Sequence, residues 1–342
     1  MTKKKSGLRK VLAPVAQIGA TVALLSWILW RNDAPRILGA LAKADPVWLA
    51  GGATALLVSL VLGAFQWDLL LRHQGVFVRY AKLLHAYNLG TFLNFVLPTG
   101  VGGDVVRAIA VHRESQGGAK SFAATVLDRF AGLFTLSILA FVAALLLASG
   151  RHDPYFARLV FLTGAAFLAF AVAAGLLFSR RALGWLAPVV KFLGEGKLFE
   201  MAKGMRNAFL EYRAARSLVG QILSISLVTQ FLRISVHAFC AHALGLRIDF
   251  AWFLLFVPVV ALISVLPISV GGWGLREGVQ KTFFALPGVM IGVTSSQEAA
   301  SMGLALAFLT SVVGMFVPAI ASLVGSLVHF LSRTQGHREE SA

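Results

Sequence analysis

Leu97-Pro98-Thr99-Gly100-Val101-Gly102-Gly103-Asp104-Val105-Val106-Arg107 and Leu266-Pro267-Ile268-Ser269-Val270-Gly271-Gly272-Trp273-Gly274-Leu275-Arg276 are two copies of one phrase, L-P-x-x-V-G-G-x-x-x-R, set 169 residues apart. Each copy closes an apolar run. Proline removes a backbone donor and clashes with the preceding turn. Paired glycines lower helix propensity and open unusual dihedrals. A straight helix through either phrase is therefore disfavoured, and each reads as a break inside an apolar segment. Two such breaks in corresponding places of one chain are the pattern of a duplicated, transporter-like core.

The composition says what surrounds the breaks. The chain has 342 residues, 58% hydrophobic and only 13% charged, which excludes an ordinary soluble domain. Its apolar runs reach the roughly 20 residues that a helix needs to cross the hydrocarbon core. The roughly 10-residue alternating segments of a membrane β-barrel are missing. The fold class is therefore all-α, a polytopic membrane helical bundle. The net charge of +16, from 31 Lys and Arg against 15 Asp and Glu, is explained by basic loops held on the cytoplasmic side, and no nucleic-acid partner is inferred from it. Cys240 is the single cysteine, so no internal disulfide forms and no metal or other cofactor is expected.

Six full spans are expected, at about 11–30, 47–71, 121–149, 155–178, 217–241 and 299–328. Lys3, Lys4, Lys5, Arg9 and Lys10 precede the first, which reads as an uncleaved span rather than a signal peptide. Segments 80–115 and 250–290 carry the phrases and are expected to be re-entrant hairpins. Eight full spans are the alternative. With the N-terminus in the cytoplasm, 21 basic residues fall inside and eight outside, the expected bias. Residues 1–150 and 151–330 then become inverted membrane repeats, with re-entrant motifs at 94–107 and 266–277. A basic amphipathic segment at 180–216 joins them on the cytoplasmic face, and 331–342 forms a cytoplasmic tail. The two hairpins would enter from opposite faces.

A helix that starts after a Gly-rich break presents free N–H groups and its positive dipole end, which together suit an anion. An arginine one turn along adds a bidentate partner for phosphate. Gly102, Gly103 and Arg107 fit this scheme, as do Gly271, Gly272 and Arg276. The alternative is that the glycines permit close helix packing and the arginines snorkel to headgroup level. Asp104 is expected to pair with Arg107, and Glu277 with Lys281, at helical spacing. Asp128 and Arg129 lie inside a span, where charge is costly. They read equally as a substrate contact and as members of a structural ion pair. Ser226, Gln230, Arg233 and His237 share one face of a span, lining either a cavity or an interhelical network. Asn94 is placed to cap the backbone freed at the first break.

No phosphate-loop, zinc-protease or nucleophile-elbow motif is present, so the chain does not read as an ordinary enzyme. Its phrases do resemble a known family. Asn94 through Arg107 looks like the first signature of the lysylphosphatidylglycerol synthase transmembrane-region family, Leu127-Asp128-Arg129 like its second, and Leu266 through Glu277 like its third. The resemblance spans nearly the whole chain. It implies a flippase-like membrane protein that moves a phospholipid or other anionic lipid between leaflets of a bacterial cytoplasmic membrane. It also implies membrane lipids as partners, together with an associated lipid-synthesising enzyme as a further candidate. The chain ends at Ala342, soon after its last span, so a synthase domain is not expected. A membrane-embedded lipid-modifying transferase, resting on His85 and Asp128, and a non-transporting accessory subunit of a lipid synthase are the competing expectations.

Overall fold

The structure, a computed structural model, describes residues 34–97, 101–111, 118–149, 154–177, 179, 197–264, 273–286, 289–293 and 295–339. The span expected at 11–30, the centres of both phrases with Gly271 and Gly272, most of the joining segment before Lys197, and residues 340–342 lie outside the described residues.

The described residues are helical apart from turns and one isolated bridge between Ile248 and Met290. The helices are α1 (Ala34–Ala42), α2 (Pro46–His73), α3 (Tyr80–Val96), α4 (Gly102–Ala110), α5 (Ala119–Ala148), α6 (Pro154–Leu177), α7 (Lys197–Ala214), α8 (Arg216–Ala243), α9 (Phe250–Ser264), α10 (Leu275–Phe284) and α11 (Ser296–Glu339). Five of them, α2, α5, α6, α8 and α11, are long and apolar enough to cross a membrane. They fall on five of the six spans expected from the sequence. At 1.5 Å per residue each exceeds the roughly 30 Å of a hydrocarbon core. The last one runs further than expected, since α11 stays helical through Glu339.

Both broken segments are helix, break, helix. In the first, α3 of 17 residues stops at Val96 and α4 of nine residues begins at Gly102. In the second, α9 is described from Phe250 to Ser264, and α10 of ten residues begins at Leu275 after a turn at Trp273 and Gly274. As described, none of the four pieces reaches roughly 30 Å alone. The approaches to the two segments are also alike. α2 ends with Gly75 at φ 71 and α8 with Gly245 at φ 69. In each the glycine N–H and the following N–H fold back onto helix carbonyls: Gly75 to Arg72 and Val76 to Leu71 in one, Gly245 to His242 and Leu246 to Ala241 in the other. This is the Schellman stop, which needs a left-handed residue at its turn. The next helix then starts five residues later in both cases, at Tyr80 and at Phe250.

The chain divides into two compact units. The first comprises Met1–Leu56, Thr91–Gly103 and Arg233–Phe316, and the second Leu57–Gly90, Asp104–Leu232 and Val317–Ala342. In the first unit, α1 buries Ile37 against Leu304 and Ala305 of α11. Phe253, Phe256, Phe283 and Phe284 knit α9 to α10 with ring centroids 4.6 to 6.0 Å apart. Tilted and edge-on rings of this kind add to simple area burial. In the second unit, α6 lies along α5 through Phe130 against Phe170, and through Phe134 and Phe141 against Phe167. The far side of α6, with Phe161, Leu162, Leu168 and Val172, is exposed, as a lipid-facing helix should be. α7 docks on the same unit by its C-terminal half: the buried Tyr212 hydroxyl donates to the Leu70 carbonyl at 2.8 Å and its ring stacks on His73.

Candidate functional site: two caged arginines

The second unit holds Arg107 at its centre. Asp104 and Arg107 stand one turn apart on α4, so both point to the same side. The Arg107 Nη2 donates to Asp128 Oδ2 on α5 at 2.6 Å, and its Nε lies 3.2 Å from Asp104 Oδ1. The other Asp128 oxygen accepts Gln66 Nε2 of α2 at 2.8 Å. Asp104 Oδ2 accepts from Arg129 Nε. The result is one chain of charges, Gln66–Asp128–Arg107–Asp104–Arg129. Two carboxylates balance two guanidiniums, which is how buried charge is tolerated. Arg107 is 3% exposed, whereas the Arg129 side chain is 42% exposed. Aromatic faces complete the cage: the Arg107 guanidinium sits 4.7 Å from the Tyr87 ring centre and 5.0 Å from that of Trp67. Gly63 of α2 makes room for Tyr87, since a Cβ there would lie 2.3 Å from its hydroxyl.

The first unit holds Arg276, one residue into α10. The end of α3 comes to meet it. Phe95 puts its ring 4.7 Å from the Arg276 guanidinium, and its carbonyl accepts the indole N–H of Trp273 at 3.2 Å. Trp273 itself lies 5.5 Å from the same guanidinium. A Cβ on Gly314 of α11 would stand 2.9 Å from the Phe95 ring, so that glycine lets the ring seat. Next to Phe95, Asn94 Oδ1 accepts the Gly103 N–H at 2.8 Å, a side-chain cap on the freed backbone of α4. The residues flanking the two breaks therefore touch, through Phe95 on one side and Trp273 and Arg276 on the other.

The electrostatics of this second cage differ from those of the first. Among the described residues Arg276 makes no ion pair. Its Nη2 donates to Ser311 Oγ at 3.0 Å, and Ser311 donates on to Glu277 Oε1 at 2.8 Å. The other Glu277 oxygen accepts the Gly274 N–H at 2.6 Å. Glu277 is 0% exposed and serves as a helix N-terminal cap, so the expected partnership with Lys281 is replaced by a backbone bond and a hydroxyl. The reason is burial: a fully buried carboxylate must be met by donors at hand. Among the described residues Arg276 Nε is buried without a hydrogen-bond partner, and so is Arg107 Nε.

The remaining sequence candidates separate. Ser226 and Gln230 belong to the second unit and serve packing. Ser226 Oγ is 3.0 Å from Thr135 Oγ1 on α5, and Gln230 fills the space beside Gly132. Arg233 and His237 belong to the first unit. His237 Nδ1 is 3.3 Å from the Arg233 carbonyl and its ring meets Phe256 edge-on. The polar stripe on α8 thus divides into an interhelical hydrogen bond and a His–aromatic contact. Neither cage contains both phrase arginines. Sequence reasoning missed Gln66, Trp67, Tyr87, Phe95, Trp273 and Ser311 as cage walls. The available signal was the presence of Gln66 and Ser311 as polar residues within otherwise apolar spans.

Long apolar helices, two helix–break–helix segments and caged arginines define a multi-pass all-α membrane protein. The chain matches the family described as lysylphosphatidylglycerol synthase TM region over residues 14–317 and belongs to it. It is similar to a UPF0104 membrane protein from Pyrococcus horikoshii, 26% identical over 294 residues that cover 80% of this chain and 86% of the relative. A UPF0104 membrane protein from Methanothermobacter thermautotrophicus is 26% identical over 290 residues, covering 80% and 86%. Another from that organism is 24% identical over 307 residues, covering 82% and 85%.

Proposed function

We propose that this protein is a lipid translocator of the flippase or scramblase type, moving an anionic phospholipid between leaflets of the cytoplasmic membrane, with both termini in the cytoplasm. One observation carries the reading: Arg276 is a guanidinium enclosed by two aromatic rings that makes no ion pair among the described residues. Such a charge is expensive in apolar surroundings unless a guest anion shares it. Its Nε has no hydrogen-bond acceptor among the described residues, and a phosphate diester offers the two oxygens that a guanidinium fork engages. The Phe95 and Trp273 rings flank the fork, 4.7 and 5.5 Å from it. Asn94 and Gly103 keep the first break in place beside it. Arg233 and His237 supply a supporting cation and a polar wall.

Arg107 has a different part in this proposal. Asp104 and Asp128 already neutralise it, so it braces α4 against α5 rather than taking the phosphate. Arg129, more exposed and tied among the described residues only to Asp104, is the cation of this group that an entering headgroup would meet first. The matching Schellman stops and five-residue spacings ahead of both broken segments support a duplicated core with opposed breaks. The family takes its name from the membrane region of a lipid synthase, which supports a lipid as the cargo.

The test is reconstitution of the purified protein into liposomes carrying labelled phosphatidylglycerol, with reductive quenching of the outer label. Faster exchange between leaflets than in empty liposomes, lost in Arg276→Gln, is the expected result. Exchange no faster than in empty liposomes for every anionic lipid tried removes the proposal.

A further inference from the structure

Glu277 is joined to Arg276 through a single hydroxyl, and that join sets a charge balance. The carboxylate is fully buried. Its Oε2 accepts the Gly274 N–H at 2.6 Å, and its Oε1 accepts the Ser311 hydroxyl at 2.8 Å. Both donors are neutral, and among the described residues no guanidinium or ammonium touches it. The positive charge that answers it is reached through Ser311, whose Oγ accepts from Arg276 Nη2 at 3.0 Å. A buried carboxylate left without compensation is strongly unfavourable. One guanidinium therefore balances Glu277 from across a hydroxyl, and the two sum to zero charge.

A guest anion upsets that balance, because one guanidinium then faces two anions. The titratable groups around Glu277 are few. On α10 they are Arg276 and Lys281, the latter one turn along and not bonded to it. α11 presents Ser311, and Glu298, the other titratable residue of 296–316, stands 13 residues away, roughly 20 Å along the helix. α9 carries no titratable side chain, nor does the end of α3 at 91–96. α8 brings Arg233 and His237, and His237 is near enough to Arg276 to feel its charge. The His237 ring, however, is engaged by the Arg233 carbonyl and Phe256, with no described bond to Ser311 or Glu277. Glu277 is thus the group wired to remove the surplus negative charge, by taking a proton.

We propose that Glu277 is a proton-binding site coupled to Arg276 through Ser311, so that one proton enters the cage with each anion bound. The proposal rests on the reading of Arg276 as the anion site. A hydronium ion gives its proton to Glu277 Oε1 and leaves as water. The new O–H donates to Ser311 Oγ, reversing the present bond, while Oε2 keeps the Gly274 N–H. The Ser311 hydroxyl can accept from both Glu277 and Arg276 and still donate once, so its hydrogen turns to an oxygen of the anion held by the guanidinium. Guest, guanidinium and neutral acid again sum to zero. By reciprocity, protonation of Glu277 strengthens anion binding as much as the anion strengthens proton binding. A pH difference across the membrane then biases the direction in which the anion moves.

The experiment uses the full-length protein in detergent, with dihexanoyl-phosphatidylglycerol, a short-chain phosphodiester, as the probe. Titration calorimetry in two buffers of different ionisation heat counts the protons taken up per probe bound. The expected result is about one proton per probe, with affinity rising by about tenfold per pH unit on acidification where uptake is complete. Glu277→Gln puts an amide in place of the protonated acid, with a carbonyl for Gly274 and an N–H for Ser311. It should bind the probe at least as tightly as the wild type, with no proton uptake and no dependence on pH. His237→Gln, whatever it does to affinity, should keep the proton count. If Glu277→Gln does not fold, the wild-type count and His237→Gln decide. Binding without proton uptake, uptake that survives Glu277→Gln, or uptake lost in His237→Gln overturns the proposal and leaves Arg276 as an anion site. So does a Glu277→Gln protein that loses affinity equally at every pH, the mark of a purely structural carboxylate. Probe binding that is absent, or unchanged in Arg276→Gln, overturns the anion-site reading and this proposal with it.

Discussion

Arg107 and Arg276 occupy the same position in two copies of one phrase, yet they live in opposite electrostatic settings. Both are gripped by two aromatic rings, and in both cages a glycine makes room for one ring, Gly63 for Tyr87 and Gly314 for Phe95. The difference lies in the acids. Arg107 touches two carboxylates directly. Arg276 reaches Glu277 only through the Ser311 hydroxyl, and Glu277 is already engaged by a backbone N–H. The likeness of the cages agrees with the proposed duplication, and the placement of acids is where the two differ. An arginine that touches two carboxylates is suited to hold helices together, whereas one with no ion pair among the described residues is suited to bind.

The comparison can be broken at either end, most forcefully at Asp128. Asp128→Asn removes one of two charges balancing a buried guanidinium and should destabilise the protein by about 3–5 kcal/mol, the usual penalty for breaking a buried pair. Thermal unfolding in detergent measures this, and an unchanged midpoint would remove Arg107 from the role of brace. Arg276→Gln should have the reverse profile: a smaller shift in the unfolding midpoint, with lipid exchange reduced about tenfold or more, as expected for loss of a charge-assisted hydrogen bond. Ser311→Ala should cost about 1–3 kcal/mol, because Glu277 Oε1 and Arg276 Nη2 both lose their partner. It would show whether the hydroxyl relay restrains the guanidinium. Arg129→Gln should be nearly silent in unfolding, within about 1 kcal/mol, because its ion pair with Asp104 is partly exposed. A large effect there would make Arg129 a third essential member of the brace.

Much of the architecture was legible because membranes impose coarse rules. A run of about 20 apolar residues has one stable fate as a helix, so α2, α5, α6, α8 and α11 follow from composition. Pro98 and the glycine pairs announced the breaks, and Asn94, nine residues before Gly103, announced its cap. The partners of the charges were much less legible. Glu277 and Lys281 have the spacing of a local helix pair, but spacing carries no information about burial, and a fully buried carboxylate took the nearest N–H and a hydroxyl from α11. Arg129 stands next to Asp128 in the chain, yet successive helix residues point in different directions, and Arg129 turned to Asp104. The aromatic walls were the least legible, because Phe95, Trp67 and Tyr87 are unremarked among many apolar residues until the helices meet. The polar stripe of α8 was correctly seen as one face, but a stripe on one long helix need not serve one site.

The bond from Trp273 to the Phe95 carbonyl spans 178 residues. During synthesis that interval is a delay. At roughly 5–20 residues per second, α3 is made some 10–35 s before the indole that closes over its end exists. Through that time Phe95 has neither Trp273 nor Gly314 to seat it, and the Asn94 cap is the one described bond holding the first break in shape. The Arg276 cage is therefore a product of late assembly. A ribosome that stops anywhere before the second phrase leaves a chain with the Arg107 brace within reach and no Arg276 cage, a half-finished state in which the Phe95 ring and carbonyl stand without their later partners.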